Sequence, residues 1–183
     1  MGQVIIGATL SLDGFMQDRH GDIGRLYPDL EELRQSEMLQ EEIRTTGAVV
    51  MGRRAYDLAQ GDLSGYEYQV PIFVLTHARP SQVPRGQNDR LSVTFVTSGI
   101  QQALAEARAT AGVQHVMVVG GAQTAQQCLQ AGLVDEIHLG IVPLLLGEGL
   151  RFFAPQVDER WHLERTRVFV SAQRTDLWFR VIR

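Results

Sequence analysis

Cysteine is nearly missing from this chain, with Cys128 alone among 183 residues. One thiol excludes an internal disulfide framework and a thiolate-built metal site, and no metal is expected. Positive charge is not in excess either: 17 Lys and Arg stand against 21 Asp and Glu, a net charge of −4. Neutralising a phosphate backbone takes a basic face, so nucleic acid is not expected as a partner, although a local basic cluster is enough for one phosphate. No apolar run is long enough for a bilayer, and Met1 leads directly into a strand pattern with no basic segment before an apolar one. The expectation is therefore a soluble cytoplasmic protein without a membrane partner. Repeats, low-complexity tracts and linkers are absent as well. With a hydrophobic fraction of 44%, one domain with a sizeable core is expected.

The chain is organised around His115 to Leu139, HVMVVGGAQTAQQCLQAGLVDEIHL. Val116 to Val119 has the length and β-branched content of a buried strand. Gly120 and Gly121 follow, then a helix-compatible segment that stops at Gly132, then a strand pattern from Glu136 to Val142. Cys128 falls in that helix, where a buried inert thiol is the simple reading. This βαβ pattern directs backbone N–H groups and a helix N-terminus to the carboxyl end of a strand, as a diphosphate requires. A tight strand-to-helix turn would by itself also call for two glycines.

Further short apolar strands are read at Val4 to Leu10, Ala48 to Met51, Pro71 to Thr76 and Val93 to Thr97, with helices over 29–46 and Ile100 to Ala111. Trp161 to Val170 and Thr175 to Val181 alternate as an antiparallel hairpin. The fold class is thus α/β: a single domain with a mostly parallel central sheet flanked by helices, closed by a C-terminal antiparallel hairpin. An uncovered hairpin edge favours pairing with a second subunit, so a homodimer is expected. The polar, glycine-dotted stretch from Phe15 to Tyr27 is read as a lid loop, with His20 solvated in it. Trp161 and Trp178 are read as core or interface residues, and Tyr56 as packed on its own helix.

The carboxyl ends of these strands carry the chemistry. Asp13 follows the first strand, where it is either a turn residue before Gly14 or a group that meets substrate and delivers a proton. Gly52, Arg53 and Arg54 follow the second. Cations are disfavoured at a helix N-terminus, so these arginines either are solvated or hold an anion there. Thr76 and His77 follow the third strand. Ligands bind at this rim of an open α/β sheet, and its glycines, hydroxyls and cations suit a phosphorylated nucleotide.

SLDGF after the first strand, VVMGRRAYD at the second, and VVGGAQTAQQCLQAGLVDEIHLGIVPLLLGEG with the final hairpin resemble the dihydrofolate reductase-like superfamily. Within it they are most similar to the reductase domain of the riboflavin-pathway deaminase-reductases, over essentially the whole chain. The resemblance implies an NADPH-dependent reductase acting on a C=N or C=O group of a small pyrimidine- or pterin-like molecule, as in 5-amino-6-(5-phosphoribosylamino)uracil reductase. It assigns cofactor phosphates to Gly52, Arg53 and Arg54, and the 2′-phosphate region to Thr76 and His77. The diphosphate falls to Gly120, Gly121, Ala122, Gln123 and Thr124, and the nicotinamide amide to the backbone of Ala8. Two arginines and a histidine can make charge-assisted bonds to a 2′-phosphate that NADH lacks, so NADPH is expected over NADH.

The sequence departs from the family in two respects. With one cysteine it has no P-C-x-x-C deaminase signature. Counting back from Gly52 by the superfamily spacing to the catalytic carboxylate of dihydrofolate reductases reaches Ser36, with Glu37 beside it as the candidate acid. Without that acid, a pterin ring nitrogen is poorly protonated and dihydrofolate reduction is expected to be weak. The alternatives are an NADPH-binding module with little catalysis and an unrelated doubly wound flavin or nucleotide binder.

Overall fold

The computed structural model describes residues 2–153 and 161–182. Its strands are β1 (Val4–Ser11), β2 (Phe15–Gln17), β3 (Thr46–Gly52), β4 (Ile72–Leu75), β5 (Val93–Val96), β6 (His115–Val119), β7 (Glu136–Val142), β8 (Leu150–Arg151), β9 (His162–Val170) and β10 (Thr175–Ile182). Its helices are α1 (Leu30–Gln35), α2 (Glu37–Thr45), α3 (Arg53–Leu58), α4 (Ile100–Ala111) and α5 (Ala122–Gln130). Eight strands form one sheet in the order β5-β4-β3-β6-β1-β7-β10-β9, while β2 and β8 pair separately. From β5 to β7 every pairing is parallel; β10 then runs antiparallel to both β7 and β9. This is the single α/β domain that the sequence leads one to expect.

Alternation along the strands builds two cores. Val4, Ile6, Ala48, Val50, Val116, Val118, Ile137 and Leu139 face α4 and α5. Val49, Met51 and Met117 point the other way, towards Tyr56 of α3 and the buried Leu63, Tyr68 and Leu91. The period of two in each strand makes this division automatic. Tyr56 is buried and meets Phe95 edge-on at 5.3 Å, so it bridges α3 to β5 rather than resting on its own helix alone.

Two elements differ from expectation. The helix read over 29–46 is broken at Ser36, whose backbone is extended (φ −66°, ψ 138°) and whose hydroxyl accepts from the Leu39 amide. Serine is a better N-cap than helix-interior residue, because its short hydroxyl competes for backbone partners. The new start also sets which face of α2 turns inward. The second difference is the lid, which is not a plain loop. Its first residues pair with β8, and Phe15 and Leu26 are buried.

Candidate active site

A cavity of about 1210 Å³ opens along the carboxyl ends of the parallel strands. Pockets for a single drug-sized molecule run to about 1,000 Å³, so this one has room for a dinucleotide and a small partner. Its floor is formed by small residues, Gly7, Ala8 and Thr9 of β1 and Gly140 of β7. Pairing of β1 with β6 ends at Gly7 and Val119, whereas β1 continues along β7 to Ser11. Beyond Gly7, therefore, the edge of β1 that faced β6 has lost its strand partner. Ala8 begins that free stretch.

One end of the cavity lies over β4, β3 and β6. Gly52, Arg53, Arg54, Thr76, His77, Gly120, Gly121, Ala122, Gln123 and Thr124, all singled out in the sequence, line it together. The two glycine turns press against each other. A Cβ on Gly52 would come within 2.5 Å of Thr124 Oγ1, and one on Gly120 within 2.5 Å of Ala55 Cβ. Gly120 (φ +68°) and Gly121 (φ +85°) also adopt left-handed backbone that glycine alone takes without strain. The starts of α3 and α5 are thereby held side by side, and the first amides of α5 are free of helical acceptors. Arg53 is partly neutralised: its Nε is 2.7 Å from Asp57 Oδ1, and its Nη1 donates to the Ala78 carbonyl at 3.3 Å. That pair answers much of the dipole difficulty. Arg54 is exposed and has no ion-pair partner among the described residues. Free amides, a free guanidinium, His77 and close-packed glycines are a donor set that fits a diphosphate with a further phosphate.

The other end contains a group the sequence reading missed. His138 of β7 is buried, with Nδ1 2.6 Å from Glu42 Oε2 and Nε2 3.2 Å from Asp176 Oδ1. Its ring stacks on Trp178 with centroids 4.2 Å apart. The Tyr68 hydroxyl donates to Glu42 Oε1. Arg174 Nη2 reaches Thr9 Oγ1 at 3.2 Å, and its Nε lies 3.5 Å from Asp29 Oδ2. Register explains the assembly. Trp178 stands opposite His138, and Asp176 opposite Gly140, whose missing Cβ would otherwise fall 2.9 Å from Asp176 Oδ1.

Burial pushes the His138 pKa down, but the hydrogen bonds and charges of Asp176 and Glu42 outweigh it and raise it to about 9. For Glu42, burial acts upward, and the bonds from His138 and Tyr68 bring the carboxyl below its usual range. Burial and the neighbouring Glu42 charge raise the Tyr68 phenol well above normal. The signal for these residues was in the sequence: His138 and Asp176 are polar residues at inward positions of strands, and Glu42 stands one turn after the buried Met38 on α2.

Neither expected acid lines the cavity. Glu37 is exposed in the first turn of α2 and is not in the cavity wall, because the Ser36 cap turns it outward. Asp13 is also outside the wall. It ties β1 to the 143–149 segment: Oδ1 accepts from Ser11 Oγ at 2.6 Å and the Leu146 amide at 3.1 Å, Oδ2 from the Gly147 amide at 2.7 Å. The Ser11 hydroxyl above all, then these amides, lower its pKa to about 2, too low for a proton donor near neutrality. The lid contributes Met16, Gln17, Ile23, Gly24 and Tyr27 to the wall; His20 is exposed and bonded to Arg19. Among the described residues, no group of metal-binding side chains and no helix long and apolar enough to cross a membrane is present.

Residues 3–175 match the family described as RibD C-terminal domain. The chain is 26% identical over 176 residues to the uncharacterized protein YyaP of Bacillus subtilis (strain 168), covering 92% of this chain and 90% of that protein. It superposes with a TM-score of 0.79 on a Shewanella sp. PV-4 protein provisionally assigned to riboflavin biosynthesis, at 24% identity over 99% of each chain. A second superposition, with a TM-score of 0.73 and 14% identity, is on the Thermotoga maritima diaminohydroxyphosphoribosylaminopyrimidine deaminase/5-amino-6-(5-phosphoribosylamino)uracil reductase, over 99% of this chain and 57% of that one. At these identities the two structures establish a shared fold.

Proposed function

Since the chain belongs to the RibD C-terminal domain family, of dihydrofolate reductase-like fold, we propose that it is an NADPH-dependent reductase of a small pyrimidine- or pterin-like molecule. The observation that carries this reading is the convergence of Gly52, Arg54, His77 and Gly120 on one end of a cavity whose other end is closed by buried ionisable groups. When bound, NADPH supplies the hydride for a C=N or C=O carbon.

The chain's own residues then have defined tasks. The amides at the start of α5 and the Arg54 guanidinium hold phosphate oxygens, and Arg54 with His77 favours a 2′-phosphate. The unpaired edge of β1 from Ala8 onward offers backbone groups to an amide. Met16, Ile23 and Tyr27 cover the floor and keep water from the reacting carbon. A proton is stored at that end on His138, held at Nδ1 by Glu42 and at Nε2 by Asp176.

The proposal extends to a homodimer through β9. This outer strand of the eight-stranded sheet is exposed along its whole length, with Leu163, Val168, Phe169 and Val170 uncovered. Sedimentation at increasing concentration tests it; a monomer throughout refutes it.

Activity is tested by following loss of the nicotinamide absorbance band with pyrimidine, pterin and quinonoid compounds. Saturable, substrate-dependent oxidation of NADPH is expected. NADPH binding with no oxidation by any of them would favour a binding module instead.

A further inference from the structure

The groups left open at the substrate end of the cavity bear on what is reduced. Charge singles out no ligand there. Within the wall Arg34, Arg174 and the His138 imidazolium stand against Glu42, Glu67 and Asp176, three of each sign. Arg34 reaches Glu67 at 3.1 Å, and His138 lies between Glu42 and Asp176. The partnerless atoms Asp29 Oδ1, Arg174 Nε and Asp176 Oδ2 are sealed within the protein, out of a ligand's reach.

Hydroxyls and apolar surface are more selective. Of the four tyrosines in the chain, Tyr68 donates to Glu42, and the Tyr56 hydroxyl is buried away from the cavity. Tyr27, at the end of the lid, and Tyr66, between α3 and β4, both line the cavity. Among the described residues neither hydroxyl has a hydrogen-bond partner, and neither is sealed in the interior. Burial above all, then the charges of Glu67, Tyr27 and Glu42, hold the Tyr66 phenol well above its ordinary pKa, so it remains a donor. Around the two hydroxyls the wall is apolar. Helix α1 buries none of its residues, yet Leu30 and Leu33 line the cavity; Leu58, at the opposite end of α3 from Arg53, and Ile23 of the lid join them. Leu30, Leu58 and Ile23 are exposed, and covering such surface gains about 25 cal/mol per Å². The bridge from Arg34 to Glu67 holds α1 beside the Tyr66 segment, so leucines and hydroxyl address one molecule.

We propose that Tyr27 and Tyr66 set the substrate specificity of this chain: their hydroxyls donate to carbonyl or ring-nitrogen acceptors of an uncharged heterocycle, and an apolar substituent on that heterocycle rests on Leu30, Leu33 and Leu58. The proposal rests on the reductase reading of the cavity and narrows its substrate class.

The test is calorimetric titration of two uncharged compounds with one head group, 5-amino-6-(benzylamino)uracil and 5-amino-6-(ribosylamino)uracil, into protein with and without saturating NADP⁺. The benzyl compound is expected to bind about 10-fold more tightly. Leu58→Ser, at an exposed position, is expected to narrow that ratio about 3-fold. Tyr66→Phe and Tyr27→Phe, which keep the rings, are each expected to weaken both compounds about 5-fold, with the thermal melt and NADP⁺ affinity unchanged. Equal or tighter binding of the ribosyl compound overturns the proposal, as does unchanged affinity for both compounds in the two phenylalanine variants. So does failure of both compounds to bind protein that holds NADP⁺. Failure of NADP⁺ itself to bind refutes the reductase reading instead, while the cofactor-free arm still ranks the two compounds.

Discussion

Replacing Glu42 by glutamine removes one of two carboxylates that hold the His138 imidazolium, with little change of shape. His138 is raised from about 6.5 to about 9 in the folded protein. At 1.36 kcal/mol per pH unit, that difference corresponds to about 3 kcal/mol of pH-dependent stability. The sign follows from the direction. A group whose folded pKa is raised contributes its full stabilisation below the unfolded value, and loses it progressively as pH rises through the folded one. Wild-type stability should therefore fall by about 3 kcal/mol between about pH 6.5 and pH 9 from this residue alone. Glu42 and Asp176 share the work, so Glu42→Gln should erase about half of the slope, about 1.5 kcal/mol. The offset at low pH is a poorer diagnostic, because glutamine escapes the desolvation that the buried carboxylate suffers. Urea unfolding of both proteins at about pH 6 and about pH 9 reads the slopes directly, and the His138 ring resonances report its titration independently. Parallel pH dependence in the two proteins, or a His138 that titrates near its ordinary value, would show that Glu42 does not hold the imidazolium.

Other outcomes follow from the same geometry. Gly120→Ala puts a Cβ 2.5 Å from Ala55 Cβ at a φ of +68°; it should lower stability by about 2 kcal/mol or more in chemical denaturation and weaken NADPH in a fluorescence titration. Arg54→Ala should leave the melting temperature unchanged and weaken NADPH about 10-fold with no effect on NADH, the loss of one charge-assisted bond. Asp13→Asn should leave NADPH affinity intact and speed amide hydrogen exchange over 143–149, since its carboxylate ties down the Leu146 and Gly147 amides. Cys128 is fully buried, with burial pushing its thiol up to about 12, so a thiol reagent should label it only in denaturant.

How far the molecule is legible in its sequence depends on the range of the interactions concerned. The Glu136 strand and the Ile100 helix have the bounds expected, because hydrophobic period and a glycine stop are local signals. The break at Ser36 is also local, but a capping hydroxyl is easily overlooked inside a continuous helical pattern. That Gly52, Arg53, Gly120 and Gly121 share one end of the cavity is legible because each component is a short motif: glycines at a strand-to-helix turn, and at the first of them arginines directly after. The opposite end is not, since Glu42 and His138 are 96 residues apart and His138 and Asp176 a further 38. The antiparallel return of β10 along β7 brings Asp176 beside His138, and α2 brings Glu42 to the same wall. Glu37 lies outside the wall for a related reason: a fixed spacing says nothing of which face a helix presents after its cap has shifted its start.

NADPH is expected in this cavity with its phosphates at the β3–β6 end and its nicotinamide over the floor of β1. A crystal structure of the protein soaked with NADPH measures that directly. The 2′-phosphate should lie beside Arg54 and His77, the diphosphate at Gly120–Gly121, and the nicotinamide against Ala8, with the remaining volume facing His138 and Glu42. A cofactor bound in the reverse sense, or none at all in the cavity at saturating concentration, would contradict it.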